Sequence, residues 1–171
     1  LPLGYGYSRP CNFLEIGPCK EEAALRNIPH GDIRHEYFWS EITGRMQTCL
    51  VYTPPGYEAD GKAYPTLYLQ HGFGENETGW VWQGRLLTLL DNLLSQERIL
   101  PMVVVMADGM LRQTEADSVK LVHRQFPDYL LRDVLPFVEK KYRVKQEKRF
   151  RAMAGLSMGS MQTSAVTLSH P

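Results

Sequence analysis

The sequence predicts an α/β protein built on a mostly parallel β-sheet, and three observations lead to that prediction. Short apolar segments with strand character alternate with longer segments whose apolar residues recur at helical spacing. Residues 102–106 form an uninterrupted apolar run, which is typical of a strand buried on both faces of a sheet. A serine flanked by glycines, Ser157, lies between a predicted strand and a predicted helix. We therefore expect one sheet with helices packed against it.

Apolar runs and turn signals place five strands. Residues 33–40 and 45–53 are predicted to pair as an antiparallel N-terminal hairpin, because Ile42-Thr43-Gly44 between them is a turn signal. The other three strands are predicted at residues 66–70, 102–106 and 150–154. Helices are predicted at residues 84–96, 127–142 and 158–170, the second with a kink at Pro136.

The composition is typical of a folded globular domain. Of the 171 residues, 43% are hydrophobic and 22% are charged, and 19 basic side chains balance 19 acidic ones. We expect no nucleic-acid partner, because the sequence has no basic stripe. We expect no membrane partner either, because no apolar stretch approaches the length of a membrane span. No metal ligands are predicted.

The N-terminal segment differs from the rest of the chain. We interpret residues 1–28 as an arm packed on the domain or a linker, and residues 29–171 as the domain itself. Apart from a short predicted helix at residues 20–26, the arm has little periodicity. Cys11 and Cys19 both lie in this arm, and the sequence does not decide whether they form a disulfide. Cys49 in the second strand is expected to be a small buried hydrophobe.

The segment Gly155-Leu156-Ser157-Met158-Gly159 fits the G-x-S-x-G nucleophile elbow, in which a serine sits on a strained turn between a strand and a helix. Gly155 and Gly159 would let strand and helix approach closely where a Cβ would clash. The helix N-terminus would then lie below the serine, so that the N–H of Met158 can stabilise an oxyanion. The pattern therefore predicts Ser157 as a catalytic nucleophile.

A second motif, His71-Gly72-Phe73-Gly74, follows the third predicted strand. In active sites built on this elbow, that loop supplies the other oxyanion N–H. We predict Phe73 as the donor, with Gly72 and Gly74 as the neighbouring alternatives. His71 precedes the serine, against the usual chain order, so we expect it to hold the loop.

The partners of the serine are not evident in the sequence. A nucleophilic serine needs a histidine to accept its proton and an acid to orient that histidine, and both follow the serine in this chain order. His170 follows Ser157, but an unbroken helix would place it roughly 20 Å away. Asp108, after the fourth strand, is expected to order the following loop. We therefore expect a chain truncated after the elbow helix, about a hundred residues short of a complete domain, with the triad Asp and His supplied by a further segment or a second chain.

Five segments are similar to motifs of one known family: Pro29-His30-Gly31-Asp32, Val51-Tyr52-Thr53-Pro54-Pro55-Gly56-Tyr57, Leu69-Gln70-His71-Gly72-Phe73-Gly74, Thr78-Gly79-Trp80 and the elbow. Together they resemble carbohydrate esterase family 1, which holds feruloyl and acetyl xylan esterases. The resemblance covers residues 29–171. It implies an α/β-hydrolase fold, no cofactor, a secreted or cell-surface location, Ser157 as nucleophile, and Phe73 and Met158 as oxyanion donors.

The residues and the resemblance together predict a serine esterase that removes acyl groups, chiefly feruloyl groups, from plant cell-wall polysaccharide through an acyl-enzyme. Trp80, Trp82 and Gln83 follow the oxyanion loop and either line a sugar or aryl site or pack over the loop. Acetyl xylan esterase, siderophore esterase and acyltransferase are alternatives on the same fold. A catalytically incomplete carbohydrate-binding or scaffold fragment is the alternative of a different class.

Overall fold

The structure is a computed structural model that describes residues 3–14, 16, 21–115, 118–121 and 123–170. Strands within these ranges are β1 (Leu3–Gly6), β2 (Arg9–Asn12), β3 (Asp32–Ser40), β4 (Arg45–Thr53), β5 (Thr66–Gln70), β6 (Val103–Ala107), β7 (Arg112–Glu115), β8 (Ser118–Leu121) and β9 (Arg151–Gly155). The α-helices there are α1 (Tyr57–Asp60), α2 (Gly79–Trp82), α3 (Leu86–Ser95), α4 (Phe126–Tyr129), α5 (Leu135–Lys141) and α6 (Met158–Ser169). Short 3₁₀ turns cover Glu21–Ala23, His123–Gln125 and Lys148–Phe150.

The central sheet has the strand order β3-β4-β6-β5-β9. β5 runs parallel to both of its neighbours, β6 and β9, whereas β3 and β4 form an antiparallel hairpin that joins β6 in antiparallel orientation. The predicted parallel sheet with an antiparallel N-terminal hairpin is confirmed. Since β6, β5 and β9 run in the same direction, their carboxyl ends and the loops that follow them meet at one edge of the sheet.

Helices cover both faces of this sheet. On one face, Val51, Val103 and Val105 pack with side chains of α4, the segment after it and α5. On the other face, Val104 and Met106 pack against α3. Every residue of β6 is 0% exposed, as its uninterrupted apolar run predicted. The strand is fully buried because both of its faces have a layer of helix against them.

The long helix predicted at residues 127–142 is not continuous. A five-residue π-helical turn, Leu130–Val134, separates α4 from α5. Pro136 has no N–H to donate within the helix. Just before it, the N–H of Leu135 donates to the carbonyl of Leu130, five residues back. The disturbance predicted at Pro136 therefore takes the form of a wider turn on its N-terminal side.

The remaining elements are less regular than the sheet. The β1–β2 and β7–β8 hairpins were not predicted, since strands this short carry too few residues for a period to stand out. The helix predicted at residues 20–26 is a 3₁₀ turn, Glu21–Ala23, within the described part. Cys49 is buried as expected, and burial raises the pKa of its thiol to about 12. Cys19, and with it the disulfide left open above, lies outside the described residues. Among the helices described, none is long and apolar enough to cross a membrane.

A buried carboxylate fastens the segment before β3 to α3. Asp91 accepts hydrogen bonds from the Tyr52 hydroxyl at 2.8 Å and the Gly31 N–H at 3.1 Å, and its other oxygen lies 2.9 Å from Nδ1 of His30. The hydrogen bond to Asp91 raises the pKa of His30. One side chain thus joins a helix, a strand and the chain that enters the sheet.

We predict that Asp91→Asn lowers the free energy of unfolding by about 1–3 kcal/mol, because an amide nitrogen would face donors where a carboxylate oxygen accepted. Urea unfolding at neutral pH measures the loss. Asp32→Asn, an exposed change of the same chemistry at the start of β3, is the control and should have little effect. Equal stabilities for the two variants would contradict a structural role for Asp91.

Candidate active site

Three loops come together where the parallel strands end. β5 leads into residues 71–74, β6 leads into Asp108 and Gly109, and β9 leads into Ser157. The register pairs Gln70 directly with Gly155, so the His71 loop and the serine turn start side by side. β5 is the middle one of these three parallel strands, and the loop after it contacts both of the other loops.

Ser157 occupies the strained conformation expected of a nucleophile elbow. Its φ is 52° and its ψ is −114°, a region that non-glycine residues rarely adopt. Such a residue costs on the order of 1–3 kcal/mol and persists only where the surrounding structure enforces it. Its side chain is exposed and α6 begins at the next residue, Met158. The hydroxyl is therefore presented to solvent directly above a helix N-terminus.

The two elbow glycines are required by close backbone packing. A Cβ on Gly155 would lie 2.4 Å from the carbonyl group of Gly159, and one on Gly159 would lie 2.7 Å from the carbonyl oxygens of Gln70 and His71. The N–H of Leu156 donates to the Gln70 carbonyl at 3.2 Å and continues the β5–β9 ladder into the turn. Only backbone fits between α6 and the end of β5.

The loop after β5 lies against Ser157. A Cβ built on Gly72 would come within 3.7 Å of the Ser157 Cβ. The Gly72 N–H already donates to Oε2 of Glu75 at 2.8 Å, whereas the N–H of Gly74, the other alternative donor, has no acceptor among the described residues. Within the described residues, the N–H groups of Phe73 and Met158 have no acceptor. Both are free to bind a ligand, although their role as an oxyanion hole stays a prediction.

His71 holds the loop, as expected from its position before the serine. It is 1% exposed; its Nδ1 lies 2.8 Å from the Gly72 carbonyl, and its Nε2 lies 2.8 Å from the Gly109 nitrogen, whose N–H it accepts. These partners assign the neutral tautomer with the proton on Nδ1. Because both ring nitrogens are engaged, His71 is not available to accept a proton from Ser157.

Asp108 orders the loop that follows β6, also as expected. Its Oδ1 accepts the N–H of Met110 at 2.8 Å and lies 3.2 Å from Nε2 of His71. Burial lowers the pKa of His71, but hydrogen bonds to Asp108 and to the Gly72 carbonyl outweigh burial, so that the net shift is upward. When Nε2 gains a proton, it can no longer accept the N–H of Gly109 and donates to the Asp108 carboxylate instead.

The three residues predicted to line the substrate site lie beyond this loop. Trp80 is half-buried and packs against the hydrophobic cluster beneath α3. Trp82 is 38% exposed and lines a groove beside the β1–β2 hairpin. Gln83 is exposed, and its Oε1 accepts the N–H of Tyr5 at 3.0 Å. Trp80 thus packs against the hydrophobic core, and a role for any of the three in substrate binding stays a prediction.

Two contributors to the site were missed from the sequence. The Glu75 side chain accepts the N–H of Gly72, three residues earlier, and no sequence motif marks this spacing within a loop. The tip of the β1–β2 hairpin also reaches the loop, where the Ser8 N–H donates to the Gly74 carbonyl at 2.7 Å. No sequence signal marks that turn, because Tyr7 and Ser8 have positive φ values, which usually call for Gly or Asn. In the part of the chain described, no group of three or more His, Cys, Asp or Glu side chains could hold a metal ion.

The family model described as "Putative esterase" matches residues 40–171. The chain belongs to this esterase family. An endo-1,4-beta-xylanase/feruloyl esterase of Xylanibacter ruminicola is 43% identical to this esterase-family chain, and the alignment covers 99% of this chain. That alignment covers 25% of the relative, so this chain spans about a quarter of it.

Solved structures with the same architecture include two ferulic acid esterases. One is 26% identical with a TM-score of 0.72, and the match covers 83% of this chain and 55% of that one. The other, from Anaeromyces mucronatus in complex with ferulic acid, is 21% identical with a TM-score of 0.76, covering 90% of this chain and 60% of that one. This esterase-family chain therefore has the α/β-hydrolase fold that its motifs implied.

We predict that Asp108→Asn lowers the pKa of His71, because the imidazolium loses its carboxylate partner while the burial that opposes it stays. A histidine in an unfolded chain has a pKa of about 6.5. Because the pKa of His71 is higher in the folded state, its protonation stabilises the fold fully below that pH, and this contribution disappears as pH rises through the folded-state pKa. The mutation should shrink that pH dependence. Histidine titration by NMR measures the shift.

Asp128→Asn, which changes an exposed carboxylate on α4, is the control for that titration and should leave His71 unchanged. A His71 pKa that stays the same, or rises, in Asp108→Asn would show that Asp108 does not stabilise the imidazolium.

Proposed function

We propose that this chain carries the nucleophile and oxyanion hole of a serine esterase, with Ser157 as the nucleophile and the N–H groups of Phe73 and Met158 as the oxyanion donors. The observation that carries the proposal is the strained, exposed serine beside two backbone donors that have no acceptor among the described residues. Donors fixed before the reaction stabilise developing negative charge without reorganisation.

The reaction follows from these groups. The Ser157 Oγ forms a bond to the ester carbonyl carbon, and the carbonyl oxygen becomes an oxyanion held by the two N–H groups. The bond to the alcohol oxygen then breaks, and that oxygen leaves with a proton. Water next attacks the acyl-enzyme, which releases the acid and restores the serine.

The serine proton needs an acceptor, and we propose that a histidine and its orienting acid come from a further segment or a second chain. His71 does not fit this role because its two nitrogens are bonded to Gly72 and Gly109. No imidazole or carboxylate in the described ranges is hydrogen-bonded to the Ser157 hydroxyl.

The proposed substrate is a hydroxycinnamoyl ester of plant cell-wall polysaccharide. The 43% identical relative is a xylanase/feruloyl esterase, and the similar solved structures are ferulic acid esterases. Phe73 is 68% exposed and follows Gly72, on which a Cβ would lie 3.7 Å from the Ser157 Cβ, so its flat apolar ring is available to pack on an aryl group. An enzyme acting on such a polymer would be secreted or held at the cell surface, and we include that location in the proposal.

We predict that Ser157→Ala lowers kcat for methyl ferulate by a factor of order a million, since removal of the nucleophile disables a triad that acts as a unit. Steady-state assays measure it on the purified protein together with the segment or chain that supplies the histidine and acid. Ser164→Ala, on an exposed face of the same helix, is the matched control and should retain activity. Turnover that survives in Ser157→Ala would refute the assignment of the nucleophile.

We also predict that kcat/KM is higher for methyl ferulate than for acetylated xylan, and that Phe73→Leu narrows this preference. The substitution keeps the backbone donor but removes the ring, and aromatic packing is worth roughly three- to tenfold. The ratio of the two kcat/KM values is the measurement. A wild-type preference for acetate of tenfold or more would make the protein an acetyl xylan esterase instead.

A further inference from the structure

A groove lies between the β1–β2 hairpin and the body of the domain. Its apolar walls include Tyr5, Pro10 and Trp82, and polar side chains at its floor include His35 and Glu77. None of these residues takes part in the chemistry proposed for Ser157. The groove is therefore a feature separate from the groups proposed to act on the ester.

The hairpin that forms one wall is fixed at two points. The Tyr5 N–H donates to Gln83 after α2, and the Ser8 N–H donates to Gly74 in the loop after β5. Its turn holds Tyr7 and Ser8 at φ values of 52° and 58°, a left-handed conformation that costs free energy in residues with a Cβ. Strain of this kind is found where a surrounding contact enforces it, often at a ligand clamp.

The hairpin that walls the groove also reaches the loop that lies against Ser157. A Cβ on Gly74 would lie 3.5 Å from the Tyr7 Cα, and one on Gly72 would lie 3.7 Å from the Ser157 Cβ. Asn76 and Glu77, which line the groove, follow Gly74 by two and three residues, so they lie within roughly 10 Å of it even at full extension. A substrate whose ester lies at Ser157 can thus continue past Tyr7 into the groove.

The lining fits an extended, hydroxyl-rich ligand. Tyr7 is 93% exposed at the tip and Trp82 is partly exposed inside, so both offer open ring faces. One oxygen of Glu77 accepts the Thr48 hydroxyl at 2.8 Å, while its other oxygen has no partner among the described residues. Aromatic faces with a nearby free acceptor match the apolar faces and hydroxyls of a sugar, whereas a small aromatic acid would need an enclosed pocket.

We propose that this groove binds the carbohydrate portion of the substrate, adjoining the ester, with Trp82 inside the groove and Tyr7 at the hairpin tip as sugar-binding residues. The inference rests on the proposed esterase function. It assigns to the N-terminal hairpin a role in recognising the leaving group, separate from the chemistry at Ser157.

The test compares two substrates that share an acyl group: methyl ferulate, which has no sugar, and a feruloylated arabinoxylo-oligosaccharide. Tyr7→Ala and Trp82→Ala should each raise KM for the oligosaccharide ester about three- to tenfold, the effect of one aromatic contact, with little change in kcat. The ratio of kcat/KM for the oligosaccharide to that for methyl ferulate should fall accordingly. Trp39→Ala, which removes an exposed tryptophan of β3 outside the groove, is the control and should leave the ratio unchanged.

Calorimetry with an unesterified arabinoxylo-oligosaccharide gives a readout independent of turnover. It should bind the Ser157→Ala protein, and the double variant with Tyr7→Ala should bind it three- to tenfold more weakly. The groove assignment would be overturned if the kcat/KM ratio stayed unchanged in both Tyr7→Ala and Trp82→Ala, or if these variants lost kcat/KM equally on both esters. Wild-type turnover of methyl ferulate would still support the esterase function in either case. If the wild-type protein, together with the segment or chain that completes the triad, hydrolyses neither ester, the proposed function itself fails.

Discussion

The approach of α6 to the end of β5 is the contact on which the rest of the site depends. A side chain at Gly159 would collide with two carbonyl oxygens of the neighbouring strand end, and one at Gly155 would collide with Gly159 itself. With only backbone between them, the helix N-terminus is fixed against the sheet edge. That position sets the direction of the Met158 N–H and forces the turn that holds Ser157 at positive φ.

The loop that faces the serine is held from several sides at once. Glu75 binds Gly72 from within the loop, and His71 bridges to Gly109 after the adjacent strand. The Ser8 N–H adds a contact from the N-terminal hairpin. A loop restrained in this way keeps its free donors in place before a substrate arrives, which is the condition for electrostatic stabilisation at low reorganisation cost.

The elbow helix is also tied to the third loop, so that the site behaves as one unit. Gln162 of α6 is buried and donates from Nε2 to the Gly109 carbonyl at 3.0 Å. Gly109 is therefore bonded through its N–H to His71 and through its carbonyl to α6. This cross-linking of three strand ends supplies the restraint that a strained serine requires, and Val166 of the same helix anchors α6 in the core.

The sequence by itself determined the strands of the sheet, the elbow and the glycine-containing loop after β5, because each of these follows from local pattern. The all-apolar run of β6 and the paired glycines around Ser157 carry their structural requirements within a few neighbouring residues. Tertiary structure alone decided which distant groups complete the loop. Gln83 became the anchor of an N-terminal hairpin, Trp80 a packing residue, and Tyr7 a neighbour of the loop after β5, since each depends on contacts between segments far apart in the chain. Periodicity records which face of an element is buried, but not which other element will lie against it.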